Sequence, residues 1–292
     1  MAEDRDNEEV KALRDEIRRL RKTISELTPS LEVLLRHRGF RIYKKEPSDD
    51  LVIPSKKFLK DYYEILKKYS FRLFLRDVIK HQEAFTKEQV AKYATSDVTD
   101  SYIDFLLSIK LIEPSASGGG AQRFRLKKRP IKSFGETLEW FLCEILKKEF
   151  SAEATWGVKF KRPRVGGDYD LIAKIDGLIL YMEAKSSPPR QIYANEITAF
   201  FDRVLDLSPD MAVFFMDTEL RMKDKIVPMF EEELKKRFPD PPQVMRLEKE
   251  LFQIWHRTFI INARDSIANN IEKVLIRYFR AGKGVVPAPA DF

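Results

Sequence analysis

Asp168, Asp170, Glu183 and Lys185 carry the chemistry that the sequence offers most plainly. They flank two apolar runs, LIAKI at 171–175 and LILYM at 178–182, separated by Asp176-Gly177. Asp-Gly between such runs is the strongest short hairpin signal. A two-residue turn there sets Ile175 opposite Leu178. Counting outward sets Asp170 opposite Glu183 and Asp168 opposite Lys185. Side chains alternate with a period of two, so all four are expected on one face. Two facing carboxylates, with Cβ atoms about 5 Å apart, repel each other. A divalent cation placed between Asp170 and Glu183 turns that repulsion into coordination. Magnesium is typically held by one or two carboxylates together with waters and substrate phosphate oxygens. Lys185 adds a positive charge where a phosphate or an attacking water would sit. Such a set suits phosphodiester hydrolysis. The ion lowers the pKa of its water and stabilises charge on the phosphate, while the lysine orients or helps deprotonate the nucleophile.

The elements that must position these residues alternate between helix and strand. FGETLEWFLCEILKKEF reads as an amphipathic helix with Phe134, Leu138, Phe141, Leu142 and Ile145 on one side. TWGVKFKRPRV reads as a basic strand, followed by the 168–186 hairpin and a helix in IYANEITAFFDRVLDL. MAVFFMDT is apolar enough for a central parallel strand. Beyond it the pattern predicts a helix in RMKDKIVPMFEEELKKRF, a further helix after PDPP, a strand in HRTFIINA and a last helix in SIANNIEKVLIRYFR. Mixed strands covered by helices make residues 131–282 an α/β layered domain. Residues 283–292 read as a disordered tail.

At these residues the chain resembles the PD-(D/E)XK nuclease superfamily, which has the restriction-endonuclease-like fold. Its motif is an Asp on one strand, then Glu or Asp, any residue, and Lys on the next. Here it reads Asp170, then Glu183-Ala184-Lys185. Members also place a Glu on the first core helix; Glu139 is the first candidate and Glu136 the second. The family order of helix, three strands, helix and strand is matched over residues 131 to about 217. The resemblance implies a metal-dependent nuclease with Asp170, Glu183 and Glu139 as metal ligands and Lys185 completing the catalytic set. Mg²⁺ is the implied cofactor, with Mn²⁺ as substitute. One departure is that no Pro precedes Asp170, as it does in many members. Asp168 is left either to share the site or to pair with Lys185. Gln191, at the start of the next helix, sits where many such nucleases contact substrate.

The rest of the chain reads as attachments to this core. Val10, Leu13, Ile17, Leu20, Ile24 and Leu27 are spaced 3, 4, 3, 4 and 3 apart, an a/d seam over residues 1–28. A coiled-coil homodimer is the expected use, and packing on the parent domain the alternative. Residues 29–55 read as a connector with a short helix (LEVLLRHR) and an extended piece (FRIYKKE). Residues 56–130 have the order of a winged-helix domain: two helices, a helix capped by Thr86, a helix from Asp97, and a glycine-tipped wing ending in QRFRLKK. Its would-be recognition helix carries Asp97, Asp100 and Asp104 against Lys110 alone, which suits protein better than phosphate. The wing instead carries Arg123, Arg125, Lys127, Lys128 and Arg129. Between 121 and 164 there are 12 Lys or Arg and 5 Glu, an excess equal to the chain's net charge of +7. Arg123, Arg125, Lys127, Lys128, Lys161, Arg162, Arg164 and Gln191 are therefore the expected nucleic-acid contacts, with DNA the first partner and RNA the second.

Other features exclude rather than assign. One cysteine, Cys143, rules out a disulfide framework or a cysteine metal cluster. Gly118-Gly119-Gly120 lacks the Lys and Ser/Thr of a phosphate loop. His37, His81 and His256 have no ligand spacing. Glu196 and Arg203 read as a surface pair on their helix. The charged start and the lack of a long apolar run give a cytoplasmic protein with no membrane segment. Weighed against the DNA endonuclease is a catalytically silent binding or protein-interaction module on the same fold, which the joint retention of Asp, Glu and Lys argues against. For the N-terminal seam, Leu20→Pro should convert the dimer into monomers in light scattering, since an interior proline costs a helix about 3 kcal/mol. A wild-type protein that is monomeric at high concentration would place the seam against its own chain.

Overall fold

A computed structural model describes residues 27–115, 122–161 and 164–281, together with Leu13, Glu16, Ile17, Arg19, Leu20 and Thr23. Val10 and Ile24 of the seam, the glycine-rich wing tip, Arg162 and the 283–292 tail lie outside them. Leu13, Ile17, Leu20 and Leu27 are exposed. Among the described residues no helix is long and apolar enough to cross a membrane.

The hairpin forms as the sequence predicts. Asp176 and Gly177 both have positive φ, 49° and 82°, the combination that a type I′ turn requires. Strands β5 (Tyr169–Ile175) and β6 (Leu178–Lys185) pair in the register Ile175 to Leu178 through Leu171 to Met182, which continues to Asp170 and Glu183. On one side β5 pairs with β4 (Glu153–Phe160), preceded by helix α6 (Gly135–Phe150). On the other, β6 runs parallel to β7 (Met211–Met216), reached through helix α7 (Ala194–Leu207). The expected order of helix, three strands, helix and strand therefore stands. All six residues of β7 are buried, as the apolar run MAVFFM requires of a strand covered on both faces.

The sheet extends beyond this core to eight strands. The stretch read as a connector supplies part of it. Helix α1 (Leu31–His37) buries Leu31 and Leu35, and β1 (Ile42–Lys44) pairs with β4 at one edge. At the other edge, β10 (Thr258–Asn262) runs parallel to β7, followed outward by β9 (Leu251–Ile254) and β8 (Val244–Glu248). The helix expected after PDPP is thus a hairpin. Apart from Val244, helix-forming Met, Arg, Leu and Glu fill β8. The sheet edge overrides that preference by burying all of β9 and pairing β8 with it. Helices α8 (Ile226–Arg237) and α9 (Ile267–Ala281) complete the layers.

Two cores flank the sheet. Ala154, Trp156, Leu171, Ala173 and Met182 pack with α6 in one. Val158, Phe160, Tyr169, Ile172 and Tyr181 pack with α7 and α8 in the other. Trp156 and Val158, two residues apart, should share a face, as should Tyr169 and Leu171; in both strands they part. The switch falls at Gly157, φ +56°, and at Asp170 opposite it in the register. A Cβ on Gly157 would lie 2.3 Å from the Pro47 ring, so the position demands glycine for space as well as for φ. Simple alternation therefore breaks at Asp170, and the four site residues do not share one flat face.

The N-terminal helical segment joins the α6 core without a gap. Helices α2 (Leu59–Leu66), α3 (Tyr69–Lys80), the short α4 (Lys87–Val90) and α5 (Ser96–Ser108) precede a hairpin of β2 (Ile112–Ser115) and β3 (Arg123–Leu126). Thr86 and Gln89 form a capping box at α4, and Phe85 bridges to Phe124. From α3, Arg72 reaches Asp217, immediately after β7. Arg72 is 1 % exposed and Asp217 is fully buried; Nε and Nη2 meet Oδ1 at 2.9 and 2.8 Å. Arg76 binds the other carboxylate oxygen. Burial pushes the Asp217 carboxyl up, but Arg72 and then Arg76 hold it below its ordinary value. Breaking a buried pair from one side leaves an uncompensated charge. Arg72→Met should therefore cost about 3 kcal/mol or more in a denaturant melt, and Arg72→Met with Asp217→Asn should recover part of it. An Arg72→Met protein of wild-type stability would refute the anchor.

Candidate active site

Asp170 stands at the end of β5, Glu183 and Lys185 at the end of β6, and Glu139 on α6 beneath them. Asp170 is fixed by its neighbour strand: its Oδ2 accepts from the Ala184 backbone N–H at 2.8 Å. Desolvation, and then the Glu183 charge, push its carboxyl up to about 8. Glu139 goes further, to about 10, raised by desolvation and then by Asp170, Asp168 and Glu136. Its Oε2 lies beside Gly157, 3.7 Å from where a Cβ would be. The missing side chain at Gly157 leaves room for this carboxylate. Glu136 turns away and accepts from the Asp50 N–H at 2.9 Å, so Glu139 is the acidic group that the helix brings to Asp170.

Glu183, 2 % exposed, is the most heavily bonded of the set. Lys185 Nζ donates to Oε1 at 2.8 Å, and Arg203 Nη1 donates to Oε1 at 3.2 Å and Oε2 at 3.0 Å. The Tyr181 hydroxyl donates to Oε2. A carboxylate offers about four lone-pair positions, and these four bonds fill them. The repulsion expected between Asp170 and Glu183 is met here by side-chain cations. Lys185 also meets Glu196 at 3.5 Å. Desolvation lowers the Lys185 pKa, but Glu183 and then Asp170 hold it above its usual range, so the ammonium stays charged.

Arg203 is the participant that sequence reasoning missed. Read as the partner of Glu196 on a surface helix, it instead turns inward to Glu183, while Glu196 caps the Tyr193 N–H and faces Lys185. Its path is made by Gly167, φ +94°, where a Cβ would lie 2.6 Å from Nη2. The signal available was its place on α7, three residues beyond Phe200, on the side that packs against the sheet. Asp168 pairs with Lys159 at 3.8 Å rather than with Lys185.

Of the expected nucleic-acid residues, those described lie on or beside three separate elements, β3, β4 and the turn after β6. Arg125 is held by Glu113 at 2.8 Å, and Lys128 by the backbone carbonyls of Ser48 and Leu51. Arg123, Lys127, Lys161 and Arg164 are exposed, and Gln191 is exposed on the 3₁₀ turn after β6.

Among the described residues no group of three or more His, Cys, Asp or Glu forms a metal cage. The donor chemistry nonetheless fits a hard cation on Asp170 and Glu139. Both are carboxylates whose crowding raises their proton affinity, and magnesium needs only one or two protein oxygens besides water and phosphate. Glu183 can join only if Arg203 or Lys185 gives up a bond.

No protein-family model and no curated protein matches the chain. Among solved structures it is similar to Can2 from Sulfobacillus thermosulfidooxidans, in complex with cyclic tetra-adenylate, at 14 % identity and a TM-score of 0.44. That match covers 85 % of this chain and 60 % of the other. It is similar also to protein VC1899 from Vibrio cholerae, at 13 % identity and a TM-score of 0.44, over 88 % of this chain and 63 % of that one. The chain thus spans under two thirds of either neighbour's length, and likeness at this level assigns no activity.

The crowded acids set a pH dependence. Asp170 binds its proton more tightly folded than unfolded, so without metal the fold loses stability as pH rises from about 4 towards about 8. Asp170→Asn should flatten that fall and melt higher than wild type at pH 8 in EDTA. A wild-type melting temperature that climbs between pH 5 and 8 while the variant's stays flat would contradict the assignment.

Proposed function

We propose that this protein is a metal-dependent nuclease that hydrolyses phosphodiester bonds, with DNA the first substrate and endonucleolytic cutting the first mode. The observation that carries the reading is the convergence of Asp170, Glu139 and Glu183 around one hairpin end, with a charged lysine two residues after Glu183. When bound on Asp170 and Glu139, Mg²⁺ or Mn²⁺ would supply a more acidic water and Lewis-acid charge.

The chain's own groups have separate tasks. The Ala184 N–H holds Asp170 in one orientation. Lys185, kept charged by Glu183, is suited to donate to a phosphate oxygen or to orient a nucleophile. It is a poor base while Glu183 holds its proton. Glu183 in turn fixes the lysine, and Arg203 and Tyr181 fix Glu183. We read residues 56–130 as a winged-helix-like module, with Arg123, Lys127, Lys161 and Arg164 as the exposed basic contacts to the backbone, and the N-terminal seam as the dimer contact.

The filled lone pairs of Glu183 favour a second reading, in which the site is closed and the fold serves binding alone. An assay of the purified protein on supercoiled, linear, single-stranded and four-way-junction DNA, with Mg²⁺, Mn²⁺ or EDTA, separates the two. Metal-dependent cutting should be lost in Asp170→Ala, Glu183→Ala and Lys185→Ala. Cutting that survives Asp170→Ala would end the mechanism, and none on any substrate would leave the binding module.

A further inference from the structure

A cleft of about 1130 Å³ lies between the N-terminal helical segment and the C-terminal ends of β6 and β7. One wall is α3 with the turn at Lys92 and Tyr93. The other is the 186–191 stretch that follows Lys185 and the 217–225 stretch that follows β7. Seven Lys or Arg line it against two Asp, 77 and 217. Asp217 is already taken by Arg72 and Arg76. None of Lys80, Lys92, Lys132, Arg190, Arg221 and Lys225 makes an ion pair among the described residues. Lys225 Nζ donates to the Arg190 carbonyl at 2.9 Å, and Asp77 offsets part of the charge of Lys92 and Lys80. The remaining excess of like charge repels and costs stability, which a bound polyanion would repay. This group is not the 121–164 charge excess, to which it contributes only Lys132.

Tyr69 and Tyr93 also line the cleft, with Lys92 Nζ over the Tyr93 ring at 5.2 Å and Tyr93 41 % exposed. A basic groove with aromatic faces is the combination that holds a single strand: cations track the backbone while bases stack. Clefts between packed units are common ligand sites, and this volume lies just above the range of about 300–1,000 Å³ usual for small ligands. It suits a few linked nucleotides of one strand.

We propose that this cleft binds the phosphodiester backbone of a single-stranded polynucleotide and leads it to the Asp170–Lys185 site. The second half rests on the nuclease reading; the binding does not. Ser186, the first residue after Lys185, lines the cleft, so the cleft borders the strand end that carries the site.

The test is fluorescence anisotropy with a short labelled oligo-dT, over a range of salt and in Ca²⁺, on the full chain. Lys80→Ala with Lys92→Ala takes one wall, and Arg190→Ala with Arg221→Ala the other. Each pair should weaken binding several-fold and flatten the salt slope by up to about 1.4 units, at about 0.7 per phosphate on single strands. Lys235→Ala, exposed on α8, should bind as wild type. Melting curves check that each variant folds, and the two walls provide independent variants. Wild-type affinity in both pairs would overturn the proposal. So would a duplex bound more tightly than the single strand, or displacement by AMP as effective as by unlabelled oligo-dT, which would mark a mononucleotide site. Parallel cutting assays in Mg²⁺ separate the two claims. Cleft-dependent binding without cutting would defeat the nuclease reading alone. Cutting with unaffected cleft variants would defeat the cleft alone.

Discussion

The Arg72–Asp217–Arg76 cluster is the constraint on which the rest of the structure depends. The Arg72 guanidinium, taken out of water, must be answered by charge, and a buried carboxylate at the end of β7 answers it together with the partly exposed Arg76. The cluster fixes α3 against the sheet to within a hydrogen bond's length. Asp217 also donates its backbone N–H to the Lys185 carbonyl at 2.8 Å. The same residue therefore holds the helical segment, the end of β7 and the end of β6. The cleft, the site and the N-terminal helices keep their mutual distances because one carboxylate joins them.

Charge compensation also organises the site. Three carboxylates converge where burial disfavours every charge. Asp170 and Glu139 are pressed towards their protonated forms. Glu183 instead stays bonded to Lys185 and Arg203. Two stable answers to the same crowding thus stand side by side: protonation on the α6 side, and salt bridging on the α7 side. A cation would compete with protons in the first case and with Arg203 in the second. These are different costs for the two halves of one site.

Much of this was legible in the sequence, for definable reasons. The hairpin register follows from Asp176-Gly177, because turn chemistry fixes strand pairing locally. The helix, three strands, helix and strand of 131–217 follow from periodicity. The break in alternation at Gly157 and Asp170 did not show, since it depends on Pro47 from a distant segment filling the space a side chain would need. The inward turn of Arg203 depends on Gly167 in another loop and was equally hidden. The β8–β9 hairpin was misread because its residues favour helix when taken alone. Only the exposed edge of β10 turns them into strands. The short helix and the extended piece within residues 29–55 were readable, but nothing local told that the extended piece, Ile42–Lys44, would pair with β4 and close the opposite edge of the sheet.

The sequence distance across the buried ion cluster bears on how the chain is made. Arg72 and its carboxylate partner are 145 residues apart. At about 5–20 residues per second of synthesis, Arg72 waits on the order of ten seconds before Asp217 has even been joined to the chain. The outer strand β1 waits similarly for β4. During that interval α2 and α3 expose the face that will meet α6, with a guanidinium in its midst whose Nη1 can reach the Leu66 and Lys67 carbonyls but whose Nε and Nη2 have water in place of Asp217. The emerging N-terminal half is thus hydrated at the very point where the finished molecule is dry, and its burial is deferred until the centre of the sheet has been translated.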